Sequence, residues 1–147
     1  MYNLVLDIDG VLTCGGGFYT KDGIYFKQFE LNLIESIDEL CRHIKEFYFI
    51  SAASSEGFTI SEIFLARINT KLNYVTPQDR LNYIKNLDGE TIFIGDGIYD
   101  ARAASACKYF ITLQDATPQA KDAAHVILPT ISGSNVLSHL LYWLDNK

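Results

Sequence analysis

Short apolar runs that stop at polar or acidic residues recur along this chain, and between them apolar positions fall at helical spacing. Leu4-Val5-Leu6 runs into Asp7, Phe47-Tyr48-Phe49-Ile50 into Ser51, and Thr91-Ile92-Phe93-Ile94 into Gly95-Asp96. Continuous apolar runs of this length read as strands buried on both faces. Leu33, Ile37, Leu40 and Ile44 share one helical face, and Ile60, Ile63, Phe64 and Ile68 predict a second helix. Residues 72–75 predict a short strand. Thr76-Pro77-Gln78-Asp79 then predicts a helix start, with Thr76 as cap, Pro77 at the first helical position and Asp79 at the positive end. Asp88-Gly89 stops that helix. A helix from about Ile98 and strands over 109–113 and 126–128 follow. A last helix presents Val136, Leu137, Leu140, Leu141 and Leu144. Between the first strand and first helix, Phe18-Tyr19-Thr20 and Ile24-Tyr25-Phe26 flank Lys21-Asp22-Gly23, predicting a short aromatic hairpin, a flap over about residues 16–29. The alternation of strands and helices implies right-handed crossovers. The predicted fold is α/β: one domain over 1–147, a three-layer sandwich on a mostly parallel, Rossmann-like sheet, with no cap domain.

Composition narrows the function classes. The formal net charge of −6 argues against a nonspecific nucleic-acid binder, and no basic run marks a membrane surface. The longest apolar stretches are too short to span a bilayer, and no signal-peptide pattern precedes the first strand. Cys14, Cys41 and Cys107 are odd in number and widely spaced, which disfavours a disulfide framework or a zinc site. A reducing, cytoplasmic setting is the expectation.

The candidate chemistry lies where the runs stop. Parallel strands in one sheet bring their carboxyl ends to a common edge, where ligands bind. Asp7, Asp9, Asp96 and Asp100 would crowd there, and such a cluster repels itself unless a cation sits in it. Hard carboxylate oxygens without a Cys or His ligand set suggest Mg²⁺. The spacing of two between Asp7 and Asp9 places both side chains on one side of an extended segment. One carboxylate can attack phosphorus to form an aspartyl-phosphate, and the other can move protons to the leaving oxygen and from water. Asp96 is placed to close the metal site opposite Asp7, and Asp100 to support it from a helix start. Ser51, with the amides of Ala52 and Ala53, could hold phosphate oxygens. Arg80, near the start of a helix that follows a strand, is the candidate cation for the phosphate, with Arg102 as runner-up. His43, His125 and His139 share no metal-like spacing.

With these residues in view, Asp7-Ile8-Asp9-Gly10-Val11-Leu12-Thr13 resembles the first motif of the haloacid dehalogenase (HAD) superfamily of phosphatases. Ser51 resembles the second motif, Arg80 the basic third position, and Gly95-Asp96-Gly97-Ile98-Tyr99-Asp100 the fourth. The small, nearly capless branch typified by 3-deoxy-D-manno-octulosonate 8-phosphate phosphatase is the most similar. The run Asp9-Gly10-Val11-Leu12-Thr13, the short hairpin in place of a cap domain and the run Asp115-Ala116-Thr117-Pro118 carry that likeness. The resemblance implies a HAD-like fold and Asp7 as nucleophile with Asp9 as general acid/base. It also implies Mg²⁺ held by Asp7, the backbone carbonyl of Asp9 and Asp96, a small phosphorylated metabolite as partner, and a homo-oligomer, a tetramer favoured. The chain departs from the branch in several places, a short segment from Arg80 to Gly95 among them. Asn32-Leu33-Ile34 stands where an Arg-Asp-Gly-like stretch is usual, Arg80 replaces the commoner Lys, and Gly97 stands where a second Asp is common. The loss of the Arg-Asp-Gly-like stretch motivates an alternative, a weakly catalytic or non-catalytic oligomerisation module. A phosphoacceptor receiver also has an acidic pocket, but its acceptor Asp ends the third strand, and here the corresponding run ends in Ser51.

Overall fold

β1 (Tyr2–Asp7) carries Leu4 and Leu6 to one face of a sheet and Val5 to the other, all fully buried, as period-two alternation requires. The computed structural model describes residues 1–147, the side chain of Tyr25 excepted. After β1 comes a hairpin of β2 (Phe18–Thr20) and β3 (Gly23–Phe26). The chain continues through α1 (Leu33–Leu40), β4 (Ile44–Ser51), α2 (Ser55–Arg67), β5 (Leu72–Tyr74) and α3 (Arg80–Lys85). Then follow β6 (Thr91–Ile94), α4 (Ile98–Arg102), β7 (Tyr109–Leu113), α5 (Pro118–Ala123), β8 (Val126–Leu128) and α6 (Val136–Asn146).

The sheet order is β5-β4-β1-β6-β7-β8, and each neighbouring pair is parallel. The chain winds outward from β1 through β4 to β5, then returns to β6 and winds the other way. The reversal lies between β1 and β6, the point at which parallel sheets open a crevice at their carboxyl edge. One face of the sheet packs Leu33 and Leu40 of α1, Leu65 of α2 and Leu137, Leu140 and Leu144 of α6. The other packs Ile84 of α3, Ala103 just after α4 and Ala120 of α5 against Val5, Phe93 and Phe110. The result is a three-layer α/β sandwich. Among the described residues no cap domain interrupts it, only the hairpin. No helix is long and apolar enough to cross a membrane.

The departures from the sequence reading are local. Ile44 does not extend α1: it opens β4, because Cys41 and Arg42 turn the chain and the His43 N–H closes on the Leu40 carbonyl (2.8 Å). In α2 the buried face is Gly57, Ser61 and Leu65, while Ile63 is 53% exposed. The small residues on that face let the helix approach the hairpin closely. Thr76 makes no side-chain cap, and residues 77–79 form a single 3₁₀ turn before α3. That helix ends at Lys85, before Asp88-Gly89, and Gly89 serves the turn into β6 with φ of +105°. Asp9 lies outside the strand. Ile8–Leu12 form a wide turn closed by the Thr13 N–H on the Ile8 carbonyl (3.2 Å), so Asp7 and Asp9 do not share a strand face.

Candidate active site

Asp7 ends β1 at the crevice and is 6% exposed. Its Oδ1 accepts the Ile8 N–H (2.9 Å), which fixes the carboxylate against its own backbone. Arg80 reaches it from the start of α3: Nη1 donates to Oδ2 at 3.1 Å and Nη2 to Oδ1 at 3.4 Å. The same Nη1 bonds Oδ1 of Asp100, so the guanidinium bridges two buried carboxylates. The other Asp100 oxygen accepts the N–H groups of Asp96 and Gly97, each at 3.0 Å. Asp100 therefore fastens the β6–α4 loop and orients Arg80 together.

Asp96 follows β6 by two residues and turns back toward Asp7. Oxygen atoms of Asp7, Asp96 and Asp100 lie within 4.8 Å of one another. Backbone geometry makes room for this. Gly10 has φ of +84°, and a Cβ there would sit 2.0 Å from Oδ2 of Asp96. A Cβ on Gly95 would meet the Asp100 carboxyl at 2.6 Å. Both glycines are demanded by carboxylates packed closely against the main chain.

The electrostatics follow from this crowding. Burial raises the Asp7 carboxyl well above its ordinary value; Arg80 pulls it back, and Asp100 and Asp96 push it up further. Burial also lifts Asp96, to about 6, with Asp100 adding to the rise and Arg80 opposing it. Burial works against the charge on Arg80, but Asp7 and Asp100 outweigh it and hold the guanidinium above its already high value. One guanidinium thus faces three carboxylates. The donors are all hard oxygens, and two of them resist ionising without further positive charge. This set fits a small divalent cation better than a soft one.

Asp9 lines a cavity of about 260 Å³ that Asp96 also borders. Its carboxylate takes an ion pair from Lys27 Nζ (2.9 Å) and the Thr13 hydroxyl at 3.4 Å. Lys27 also donates to Ser61 Oγ (2.9 Å), and its side chain is only 5% exposed. Sequence reasoning did not single out Lys27. It looks like a surface lysine among flap residues, and its partners are remote in the chain. The cavity is walled by Asp9, Gly10 and Asp96, the loop Cys14-Gly15-Gly16-Gly17, Tyr19 and Ile24 of the hairpin, and Ala53 and Ser54.

Ser51 ends β4 at the same edge and is 1% exposed. Its Oγ accepts the Ala53 N–H at 3.0 Å, so the hydroxyl shapes the β4–α2 loop. Arg102 stacks on the Tyr99 ring (4.6 Å) instead of joining the cluster. His43 pairs with Asp145, and His125 Nδ1 accepts the Phe110 N–H (2.8 Å).

No family model and no curated protein matches this chain in sequence. Solved structures do match in fold. The cobalt-bound deoxy-D-mannose-octulosonate 8-phosphate phosphatase of Haemophilus influenzae superposes with a TM-score of 0.83 at 22% identity, covering 99% of this chain and 88% of that one. The 3-deoxy-D-manno-octulosonate 8-phosphate phosphatase of Moraxella catarrhalis, in complex with magnesium, phosphate and the sugar acid, gives 0.83 at 16% identity, covering 99% and 86%. A putative HAD superfamily hydrolase of Legionella pneumophila gives 0.82 at 19%, covering 99% and 82%. At these identities the likeness speaks for the fold: the chain has the HAD-like α/β fold over nearly its whole length.

Proposed function

We propose that this protein is a Mg²⁺-dependent phosphatase that hydrolyses a small phosphomonoester, a sugar phosphate being the favoured class, through an aspartyl-phosphate. The observation that carries this reading is the convergence of Asp7, Asp96 and Asp100 oxygens within 4.8 Å, beside a cavity that Asp9 faces. Asp7, Asp96 and the Asp9 backbone carbonyl would hold Mg²⁺, with Asp100 in support, and the ion would supply positive charge to the phosphate oxygens.

An Asp7 oxygen attacks phosphorus as the bond to the leaving oxygen breaks, and Asp9 gives that oxygen its proton. Water then attacks the aspartyl-phosphate, Asp9 takes its proton, and phosphate leaves with Asp7 restored. Arg80 and the Ile8 N–H keep the nucleophile oriented at no cost of reorganisation during the step. Ser51 shapes the β4–α2 loop beside the cavity by accepting the Ala53 N–H, which leaves the Ala52 amide as the loop donor for a phosphate oxygen. Lys27 holds the Asp9 carboxyl at the cavity wall.

The test is turnover of p-nitrophenyl phosphate with and without Mg²⁺, followed by a screen of phosphorylated metabolites. Wild-type protein should turn over only with the metal, and Asp7→Asn should lose at least about a thousandfold. Equal activity of the Asn variant would defeat the nucleophile assignment. The working form is a homo-oligomer, a tetramer by resemblance, acting in the cytoplasm. Flap aromatics left bare support the assembly: Phe18 is 51% and Phe26 55% exposed, and they stack on each other at 4.3 Å. The same patch also suits the alternative reading, an oligomerisation module with little or no catalysis, which flat results across the screen would favour.

A further inference from the structure

We propose that Asp115 and Ser132 are positioning residues for the leaving-group side of the cavity, acting on the loop Cys14-Gly15-Gly16-Gly17 through a two-step hydrogen-bond relay. Three consecutive glycines lose more backbone freedom on ordering than any other run of three, so a wall built from them needs an external anchor. The anchor is the Gly15 N–H, which donates to Ser132 Oγ at 2.9 Å across 117 residues of sequence. A serine hydroxyl has one proton to give. Here it goes to Oδ2 of Asp115 at 2.6 Å, while the Ser132 N–H donates to Oδ1 at 3.0 Å. The carboxylate thereby sets the hydroxyl rotor and leaves its lone pairs for Gly15. Ser132 is 6% exposed, so water competes poorly for either bond. Next to it, the Gly133 N–H donates to the Val11 carbonyl (2.8 Å), which ties the same segment to the turn that carries Asp9.

The relay does not touch the carboxylate cluster. It holds the Cys14–Gly17 wall of the cavity that Asp9 and Asp96 also border, where the organic part of a phosphomonoester would lie. The kinetic half of the test rests on the phosphatase reading; the other half does not. Ser132→Ala should raise KM for p-nitrophenyl phosphate, whose ring enters the cavity, about fivefold, with kcat within about twofold. With acetyl phosphate, whose leaving group is small, both constants should stay within about twofold. Asp115→Ala should act in the same direction, and the double variant should be no worse than Ser132→Ala, since the pair works as a unit. A variant that was merely less stable would lower kcat on both substrates together and leave KM alone. That pattern, or additive single effects, would overturn the proposal. Amide hydrogen exchange reads the relay without any turnover: Ser132→Ala should speed exchange at Gly15 about tenfold while β1 amides keep their rates. Unchanged Gly15 exchange would sink the relay even in an active enzyme. Absence of turnover in wild type, with Gly15 exchange accelerated in the variant, would defeat the phosphatase reading and leave the relay standing.

Discussion

Asp96 shows at the scale of one residue how the site balances its charges. Between the ordinary aspartate value of about 4 and about 6, the folded metal-free chain keeps a proton on Asp96 that the unfolded chain has already released. A raised carboxyl value means that folding loses stability as pH climbs through that window. Asp7 is raised as well and contributes with the same sign. Asp96→Asn carries no charge to repel. In excess chelator it should therefore gain stability over wild type as pH rises from about 4 to about 7, by on the order of 2 kcal/mol, read as a urea midpoint. If Asp96 is a ligand of the proposed Mg²⁺ site, the order should reverse in excess Mg²⁺, since the ion would then stabilise wild type and not the Asn variant. A pH-independent difference between the two proteins would show that Asp96 is not the strained carboxyl. Asp7 and Asp96 were legible from the chain because each stands at, or one glycine past, the end of an apolar run. Lys27 was not: its partners Asp9 and Ser61 lie 18 and 34 residues away, and nothing local distinguishes it from a solvated lysine.

At the scale of the element, the hairpin is the part least able to stand alone. A two-stranded ribbon is marginal in water, and this one leans on α2. The small residues Gly57 and Ser61 bring that helix close, and Lys27 locks the exit of β3 to Ser61 and Asp9. Lys27→Met should leave the sheet intact but loosen the flap. Trypsin should then cut after the exposed Lys21 at the hairpin tip several-fold faster, with global melting shifted little. An unchanged cleavage rate would mean that packing against α2 alone holds the flap. The face of α2 differs from the predicted one in part: Phe64 and Ile68 pack on the core, beside the buried Gly57, Ser61 and Leu65. Ile63 also matches helical spacing, but the close approach of the hairpin selects the small residues Gly57 and Ser61 for burial, and Ile63 stays in solvent. Ile44 illustrates the other ambiguity, since one apolar residue at the end of a helical face also serves as the start of a strand.

At the scale of the whole molecule, a fully wrapped parallel sheet leaves its carboxyl edge as the one place where polar groups from β1, β4 and β6 can meet. The bare aromatics of the flap extend from that edge into solvent. Sedimentation or light scattering should find an assembly larger than one chain, and Phe18→Asp with Phe26→Asp should shift it toward monomer. A wild-type monomer would defeat that expectation. The order of apolar runs by itself determined the layer architecture, because burial on both faces is written as uninterrupted hydrophobic strands. It also marked the strand-end acids. Tertiary structure alone decided who pairs with whom: that Arg80 bridges Asp7 and Asp100, that Lys27 takes Asp9, and that Ser132 reaches Gly15. Those choices join residues remote in the chain, and a side chain's type does not say which distant partner the packing will bring within about 3 Å.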